Sequence, residues 1–179
     1  LLVCGINKGT KLSERFLNLD KSYFSKIMLG IKTTTDDSEG SVIEEKEIQA
    51  GEEEIIEMIK TFEGESKQKA PFFSALKYKG KPLYKHAREG RLIEKEPRDI
   101  NIYKIINIVI ENAFVSFEIS CSKGTYIRSI ARDLGDKLGC GGHLVELVRL
   151  SQGKFELKDA KKVDDVQMSD LINMEDLSF

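Results

Sequence analysis

The chain has 179 residues, is 40% apolar and 32% charged, and carries a formal net charge of −2. Its length suits one domain with a substantial core, and no apolar stretch approaches the roughly 20 residues that a membrane span requires. These properties exclude an integral membrane protein, and we expect a cytoplasmic one. The three cysteines, Cys4, Cys121 and Cys140, form no C-x-x-C pair. We therefore expect reduced, mostly buried thiols and no metal site.

Charge is segregated along the chain. Residues 36–65 contain twelve acidic and two basic residues, whereas residues 66–104 contain eleven basic and four acidic ones. A basic stretch of this kind can face phosphate, but on charge alone both stretches are better interpreted as solvated surface.

The first half of the chain predicts helices and strands in alternation. Apolar residues at helical spacing predict a helix over residues 10–19, and period-two alternation predicts a strand over residues 21–31. Residues 36–40 predict a turn. The spacing of Ile55, Ile56, Ile59 and Phe62 predicts a helix over residues 52–62.

The second half begins with residues 66–98, whose prolines and glycines predict an inserted loop with a short helical turn near residues 86–89. Two β-rich runs at 100–110 and 113–121 predict an antiparallel hairpin. Residues 125–138 predict the clearest helix, and residues 143–150 predict a strand. These elements define an α+β fold with a mixed, largely antiparallel sheet flanked by helices.

The sequence Ser122-Lys123-Gly124-Thr125-Tyr126-Ile127-Arg128 joins the hairpin to the clearest helix. Amide, hydroxyl and basic groups at a helix N-terminus favour anion binding. The alternative is that Thr125 or Ser122 merely caps the helix and Arg128 is a surface residue. Arg128 lies beside the apolar stripe of the helix, where its guanidinium would need a partner such as a carboxylate.

This segment, followed by A-R-D-L-G and L-G-C-G, resembles a signature of TruB-type pseudouridine synthases. Four further segments agree in order. They are Asp20-Lys21-Ser22-Tyr23, the turn at residues 30–40, the loop at residues 68–90 and the strand at residues 143–150. The similarity extends from Leu1 to about Phe155, which assigns residues 1–155 to the catalytic domain and leaves residues 156–179 as a helical tail without a complete second domain.

The resemblance implies isomerisation of uridine 55 in the T-arm of tRNA to pseudouridine. In this family an aspartate attacks the uridine, the base detaches and turns, and carbon replaces nitrogen in the bond to the sugar. The reaction needs no cofactor. The aspartate lies in a G-x-x-G-x-L-D-P segment that should precede Leu1, and no aspartate of this chain has that context. We therefore expect the chain as it stands to be inactive, with Arg128 deprived of its carboxylate partner.

The same resemblance assigns the site residues. Tyr23 corresponds to the tyrosine that stacks on the extruded base, Arg128 to the arginine paired with the nucleophile, and Leu147 to an apolar residue lining the uracil pocket. Without the motifs, Tyr23 would be interpreted as a strand aromatic and Leu147 as a core leucine. The residues expected to contact RNA are Lys11, Lys77, Arg88, Lys123, Tyr126 and Arg149.

A second function remains open. The chain could be a non-catalytic RNA-binding module that uses the same surface. Because the lysine-rich loop at residues 74–90 resembles the stand-alone bacterial enzymes, we expect tRNA as the partner, no guide RNA, no membrane, and a monomer.

Overall fold

A computed structural model describes residues 1–173, 176 and 177. Its centre is a six-stranded sheet in the order β10-β9-β1-β8-β7-β4, in which every pair of neighbours is antiparallel. The predicted α+β class is confirmed, and helices pack on one face of this sheet. Two small hairpins, β2–β3 and β5–β6, lie outside it.

The elements follow the chain in this order. After a 3-10 helix at Asn7–Leu12 come α1 (Ser13–Leu17), β1 (Lys21–Leu29), β2 (Ile31–Thr33), β3 (Val42–Glu45), α2 (Glu52–Lys60) and β4 (Gly64–Gln68). The second half contains β5 (Lys77–Tyr78), β6 (Lys81–Pro82), α3 (Leu83–Arg88), β7 (Arg98–Glu111), β8 (Phe114–Cys121), α4 (Ile127–Lys137), β9 (Gly142–Gln152) and β10 (Phe155–Glu156).

The core lies between the sheet and the helices α2 and α4. The sheet contributes alternate residues, since β8 alternates strictly between half-buried and buried positions. The helices contribute one face each, with Ile55 and Ile59 from α2 and Ile130 and Leu134 from α4. Ile56, which the helical spacing placed on the buried face of α2, is 39% exposed. That part of the prediction is wrong, because the face of α2 that meets the sheet is narrower than its apolar stripe.

The end of the described chain is irregular. The predicted helical tail consists of three short 3-10 helices, Leu157–Asp159, Val163–Asp165 and Met168–Asp170, separated by extended residues. Their apolar side chains are largely exposed, as at Val163 and Met168. Residues 156–173 therefore add little to the core.

Two cysteines, Cys121 and Cys140, are buried and Cys4 is exposed; all three are free thiols. Burial raises the pKa of the Cys121 thiol to about 11. In the part of the chain that the structure describes, no cluster of three or more potential metal ligands occurs. None of the described helices has the length and apolarity needed to cross a bilayer.

Candidate active site

The Arg128 side chain joins two loops to the start of α4. Its Nη1 atom donates to the Asp37 carboxylate at 2.8 Å, and its Nη2 atom donates to the Phe73 carbonyl oxygen at 2.8 Å. Both ionic side chains are about three-quarters buried, since Arg128 is 25% and Asp37 is 22% exposed. Arg128 therefore has a carboxylate partner within this chain, and the expectation that it lacks one is wrong.

Asp37 is held in place by its own turn. One carboxylate oxygen accepts hydrogen bonds from the Thr35 hydroxyl (2.5 Å) and the Glu39 amide (3.1 Å), and the other faces Arg128. The Thr33 hydroxyl donates to the Asp37 carbonyl oxygen at 2.7 Å. Because both carboxylate oxygens are hydrogen-bonded, Asp37 is suited to orienting Arg128 and poorly suited to nucleophilic attack.

The turn is attached to the sheet next to the predicted pocket. Asp37 forms an isolated parallel bridge with Leu144 on β9. The Leu144 amide donates to the Asp36 carbonyl oxygen at 3.0 Å, and the Ser38 amide donates to the Leu144 carbonyl oxygen at 3.1 Å. The Asp37–Arg128 pair is thereby fixed relative to β9, three residues before Leu147.

Tyr23 and Leu147 lie on neighbouring strands and on the same face of the sheet. In the β1–β9 register, Tyr23 is opposite Arg149 and Ser25 is opposite Leu147, with no bulge between the two pairs. Tyr23 packs against the hydrophobic core, as does α4 on the same face. Leu147 is 44% exposed. That exposure excludes the interpretation of Leu147 as a core leucine and leaves an apolar side chain open to a ligand.

Arg149 lies over the Tyr23 ring and is held there by Gln152. The Arg149 guanidinium lies 6.0 Å from the centre of the ring, and its Nη1 atom donates to the Gln152 side chain at 2.7 Å. Buried Gln152 in turn donates to the Phe16 carbonyl oxygen at 2.8 Å. Burial raises the pKa of the Tyr23 phenol, and the Arg149 charge opposes that rise. The phenol is therefore protonated at neutral pH and can donate a hydrogen bond.

Sequence reasoning missed Asp37 and Gln152 as members of the site. The only signal for Asp37 was its place in the turn motif at residues 30–40, since 91 residues separate it from Arg128. Gln152 carried no signal in the sequence. Lys21 was also missed; it lies two residues before Tyr23 on β1, and burial, with the nearby Arg149 charge, lowers its pKa.

The residue before α4 is held by Gln68, the last residue of β4. The Tyr126 amide donates to the Gln68 side-chain oxygen at 2.8 Å, and the Gln68 side-chain nitrogen donates to the Tyr126 carbonyl oxygen at 3.1 Å. Tyr126, the N-cap residue of this helix, makes no capping hydrogen bond with its own side chain. The Thr125 hydroxyl instead donates to the Ser122 carbonyl oxygen, and the Ser122 hydroxyl accepts from the Asn101 amide. The capping alternative for Thr125 and Ser122 is wrong.

The predicted RNA-contacting residues fall into two groups. Arg149 lies near the Tyr23 ring, and Lys123 lies near Lys21 and donates to the Asn18 side chain at 3.0 Å. Lys77 and Arg88 are exposed on the inserted loop, on β5 and at the end of α3 respectively. Lys11 is exposed in the first 3-10 helix, and half-buried Tyr126 lies at the start of α4.

The structure places the Tyr23 ring on β1, the half-exposed Leu147 on the neighbouring strand β9, and the Arg128–Asp37 pair at the start of α4. Two protein-family models match the chain. Residues 1–127 match the N-terminal domain of the TruB family of pseudouridylate synthases, and residues 128–177 match the C-terminal domain of tRNA pseudouridylate synthase B. The chain belongs to the TruB family.

Among its curated relatives are two proteins named tRNA pseudouridine synthase B. The protein of Thermosipho melanesiensis is 46% identical over 89% of this chain and 53% of its own length. The protein of Thermotoga maritima is 44% identical over 97% of this chain and 56% of its own length. The chain thus spans about half the length of the curated relatives it matches.

Solved structures show the same fold. A chain in the crystal structure of a Cbf5–Nop10–Gar1 complex superimposes with a TM-score of 0.64 at 27% identity, covering 89% of this chain and 39% of that one. A chain in a structure of an H/ACA ribonucleoprotein bound to a substrate RNA containing 2'-deoxyuridine gives a TM-score of 0.60 at 25% identity, covering 89% of this chain and 37% of that one.

Proposed function

We propose that this chain forms most of the catalytic domain of a tRNA pseudouridine synthase acting on uridine 55 of the T-arm. The observation that carries the proposal is the arrangement of three side chains. They are the aromatic ring of Tyr23 on β1, the half-exposed Leu147 on β9 and the anchored guanidinium of Arg128 on α4. It is supported by relatives at 44–46% identity named for this activity.

The three residues suit the chemistry of an extruded uracil. Tyr23 offers a ring face for stacking, and Leu147 offers an exposed apolar contact on the adjacent strand. Arg128 supplies a fixed positive charge that can orient an attacking carboxylate and balance its charge. In the reaction the bond from C1′ of the ribose to N1 of uracil breaks and the base turns. C1′ then bonds to C5, the C5 proton is lost and N1 takes up a proton, so that the product is an isomer of uridine.

We propose that the attacking aspartate is supplied by the segment preceding Leu1. The Leu1 amino nitrogen donates to the Arg149 carbonyl oxygen at 3.2 Å. Arg149 is the residue opposite Tyr23 in the sheet. Residues joined to Leu1 would therefore approach the site beside the Tyr23 ring. Asp37 does not take this role, because its carboxylate already accepts three hydrogen bonds.

A turnover assay tests the substrate. An extended chain, in which the family's G-x-x-G-x-L-D-P segment precedes Leu1, should release tritium from a T-arm stem-loop labelled at C5 of its uridines. Release should cease when uridine 55 is replaced by cytidine. Release that is unaffected by this replacement would contradict the proposed substrate position, and no release from the uridine stem-loop would contradict the proposed activity.

Binding of the T-arm RNA should weaken linearly with the logarithm of salt concentration, because lysine and arginine contacts with phosphate release counterions. Lys77→Ala and Arg88→Ala should each weaken binding. Each should also lower the magnitude of the slope of log affinity against log salt concentration by about 1, the change expected for the loss of one phosphate contact. Lys46→Ala is the matched control, since Lys46 lies in the acidic stretch at residues 36–65 and pairs with Glu44 at 2.7 Å. Fluorescence anisotropy at several salt concentrations measures both quantities. Affinity independent of salt, or equal losses in all three variants, would contradict this assignment.

The second candidate is an RNA-binding module without catalysis. It is favoured by the fact that Asp37 pairs with Arg128 within this chain, without an external carboxylate. It predicts binding without turnover in the extended chain. We further propose that recognition needs no guide RNA, because the basic residues Lys77 and Arg88 are exposed on the chain's own inserted loop.

A further inference from the structure

A second arginine of α4 repeats the contacts of Arg128 one helical turn away. Arg132 Nη1 donates to the Asp36 carboxylate at 3.1 Å, and its Nη2 donates to the Lys69 carbonyl oxygen at 3.1 Å. Arg128 binds Asp37 and the Phe73 carbonyl in the same way. Each arginine therefore joins one carboxylate of the turn to one carbonyl at the base of the inserted loop.

The Arg132 contacts are well supported. Arg132 is 21% and Asp36 is 18% exposed, so the pair is shielded from solvent. Asp133 on the same helix receives a hydrogen bond from Arg132 Nε at 2.9 Å, which fixes the guanidinium plane. The Ser129 hydroxyl donates to the same Lys69 carbonyl at 2.8 Å. The guanidinium is therefore held from three sides, as a planar fork of donors allows and an ammonium group does not.

The backbone of Asp36 explains why this second pair matters for the first. Asp36 has a φ of +61°, a left-handed conformation that is disfavoured for residues other than glycine and is better tolerated by aspartate and asparagine. Asp37 is the next residue. Relaxation of Asp36 to negative φ would rotate the following peptide and turn the Asp37 carboxylate away from Arg128. A contact that anchors the Asp36 side chain opposes this relaxation.

We propose that Arg132 is a positioning residue, which holds the turn so that Asp37 orients Arg128 and which ties that turn to the RNA-facing loop. Lys77 and Arg88, which are proposed to bind RNA, belong to the inserted loop. The base of that loop is attached to α4, the helix that also carries Arg128. Within the described chain, the hydrogen bonds of Arg132 go to the turn, to Asp133 and to the base of the inserted loop, and none goes to Tyr23 or Leu147. Loss of Arg132 should slow the chemical step and leave RNA affinity nearly unchanged.

The role in the reaction rests on the proposed function, so the test has an arm that is independent of activity. In the extended chain, Arg132→Gln should lower the single-turnover rate on the T-arm stem-loop about 10-fold or more, with a change in Kd of less than about 2-fold. Asp36→Asn is the second variant, to be used if Arg132→Gln does not fold. Asparagine tolerates the left-handed backbone conformation of position 36 but lacks the charge that pairs with Arg132. The double variant should be no slower than the slower single variant, because both remove one interaction. Arg98→Gln, at an exposed position of β7, is the control.

Hydrogen exchange of the 179-residue chain is the independent arm. Amides of residues 33–40 should exchange faster in Arg132→Gln and unchanged in Arg98→Gln. Exchange that is unaltered by Arg132→Gln would overturn the proposal, as would a normal single-turnover rate. A rate loss matched by an equal rise in Kd would also overturn it, since Arg132 would then be an RNA contact. If the unsubstituted extended chain shows no turnover, the proposed function fails, and the exchange result alone decides whether Arg132 anchors the turn.

Discussion

Arg128→Lys in the extended chain is expected to reduce single-turnover pseudouridine formation by about 100-fold or more. Arg128 contacts the Asp37 carboxylate and the Phe73 carbonyl through different nitrogen atoms, and lysine cannot make both contacts from one ammonium group. Disruption of a shielded, hydrogen-bonded ion pair costs about 3 kcal/mol or more, and 1.36 kcal/mol corresponds to a factor of ten in rate.

The control for this prediction is Arg98→Lys, which changes the same residue type at an exposed position on β7. Rapid-quench measurement of product at saturating enzyme separates the chemical step from RNA binding. A rate for Arg128→Lys within about 3-fold of the unsubstituted protein, measured with folded protein, would show that the fixed guanidinium has no part in the reaction.

The largest effect on stability is expected for Gly135→Ala. Gly135 lies in α4, where the helix meets the start of β9, and a Cβ atom there would lie 2.1 Å from the Gly141 carbonyl carbon and 2.2 Å from the Gly142 nitrogen. These are backbone atoms, and the Gly141 amide donates to the Gly135 carbonyl oxygen at 2.9 Å, so the approach cannot be relieved by a side-chain rotation. The helix must move away from the strand, at a cost of about 3 kcal/mol in the free energy of unfolding.

Gly9→Ala is the matched control, because nothing lies within 4 Å of a Cβ atom at that position. Its effect should be within about 0.5 kcal/mol. Urea denaturation monitored by circular dichroism gives both values. Equal midpoints for Gly135→Ala and Gly9→Ala would mean that α4 does not pack this closely on β9.

Much of the fold could be predicted from the sequence because its apolar pattern is regular. Residues 21–31 and 113–121 alternate, residues 100–110 are rich in β-forming residues, and the structure has β1, β8 and β7 there. β4 was not predicted, because four of its five residues are exposed and its place in the sheet comes from pairing with β7. Such an edge strand is determined by its partner and leaves little pattern of its own.

The site was predictable only in part, because some of its contacts arise from tertiary packing and leave no pattern in the sequence. The motifs predicted Tyr23, Arg128 and Leu147 as site residues, and the sheet register places Tyr23 and Leu147 on adjacent strands. The partner of Arg128 could not be found by spacing, since Asp37 comes from a turn 91 residues away and meets α4 only through tertiary packing. The attachment of the inserted loop to α4 depends on the carbonyl groups of Lys69 and Phe73, which no side-chain pattern reveals.

The proposed function requires that this chain supplies Tyr23, Arg128 and Leu147 to the site of a pseudouridine synthase while the attacking carboxylate comes from the segment before Leu1. The most direct measurement compares tritium release from the T-arm stem-loop by the 179-residue chain, by the extended chain, and by the extended chain with the aspartate of its L-D-P segment changed to asparagine. We predict turnover by the extended chain alone, since a covalent mechanism fails without its nucleophile. Equal turnover by all three proteins would contradict the claim and would place the nucleophile within the present chain.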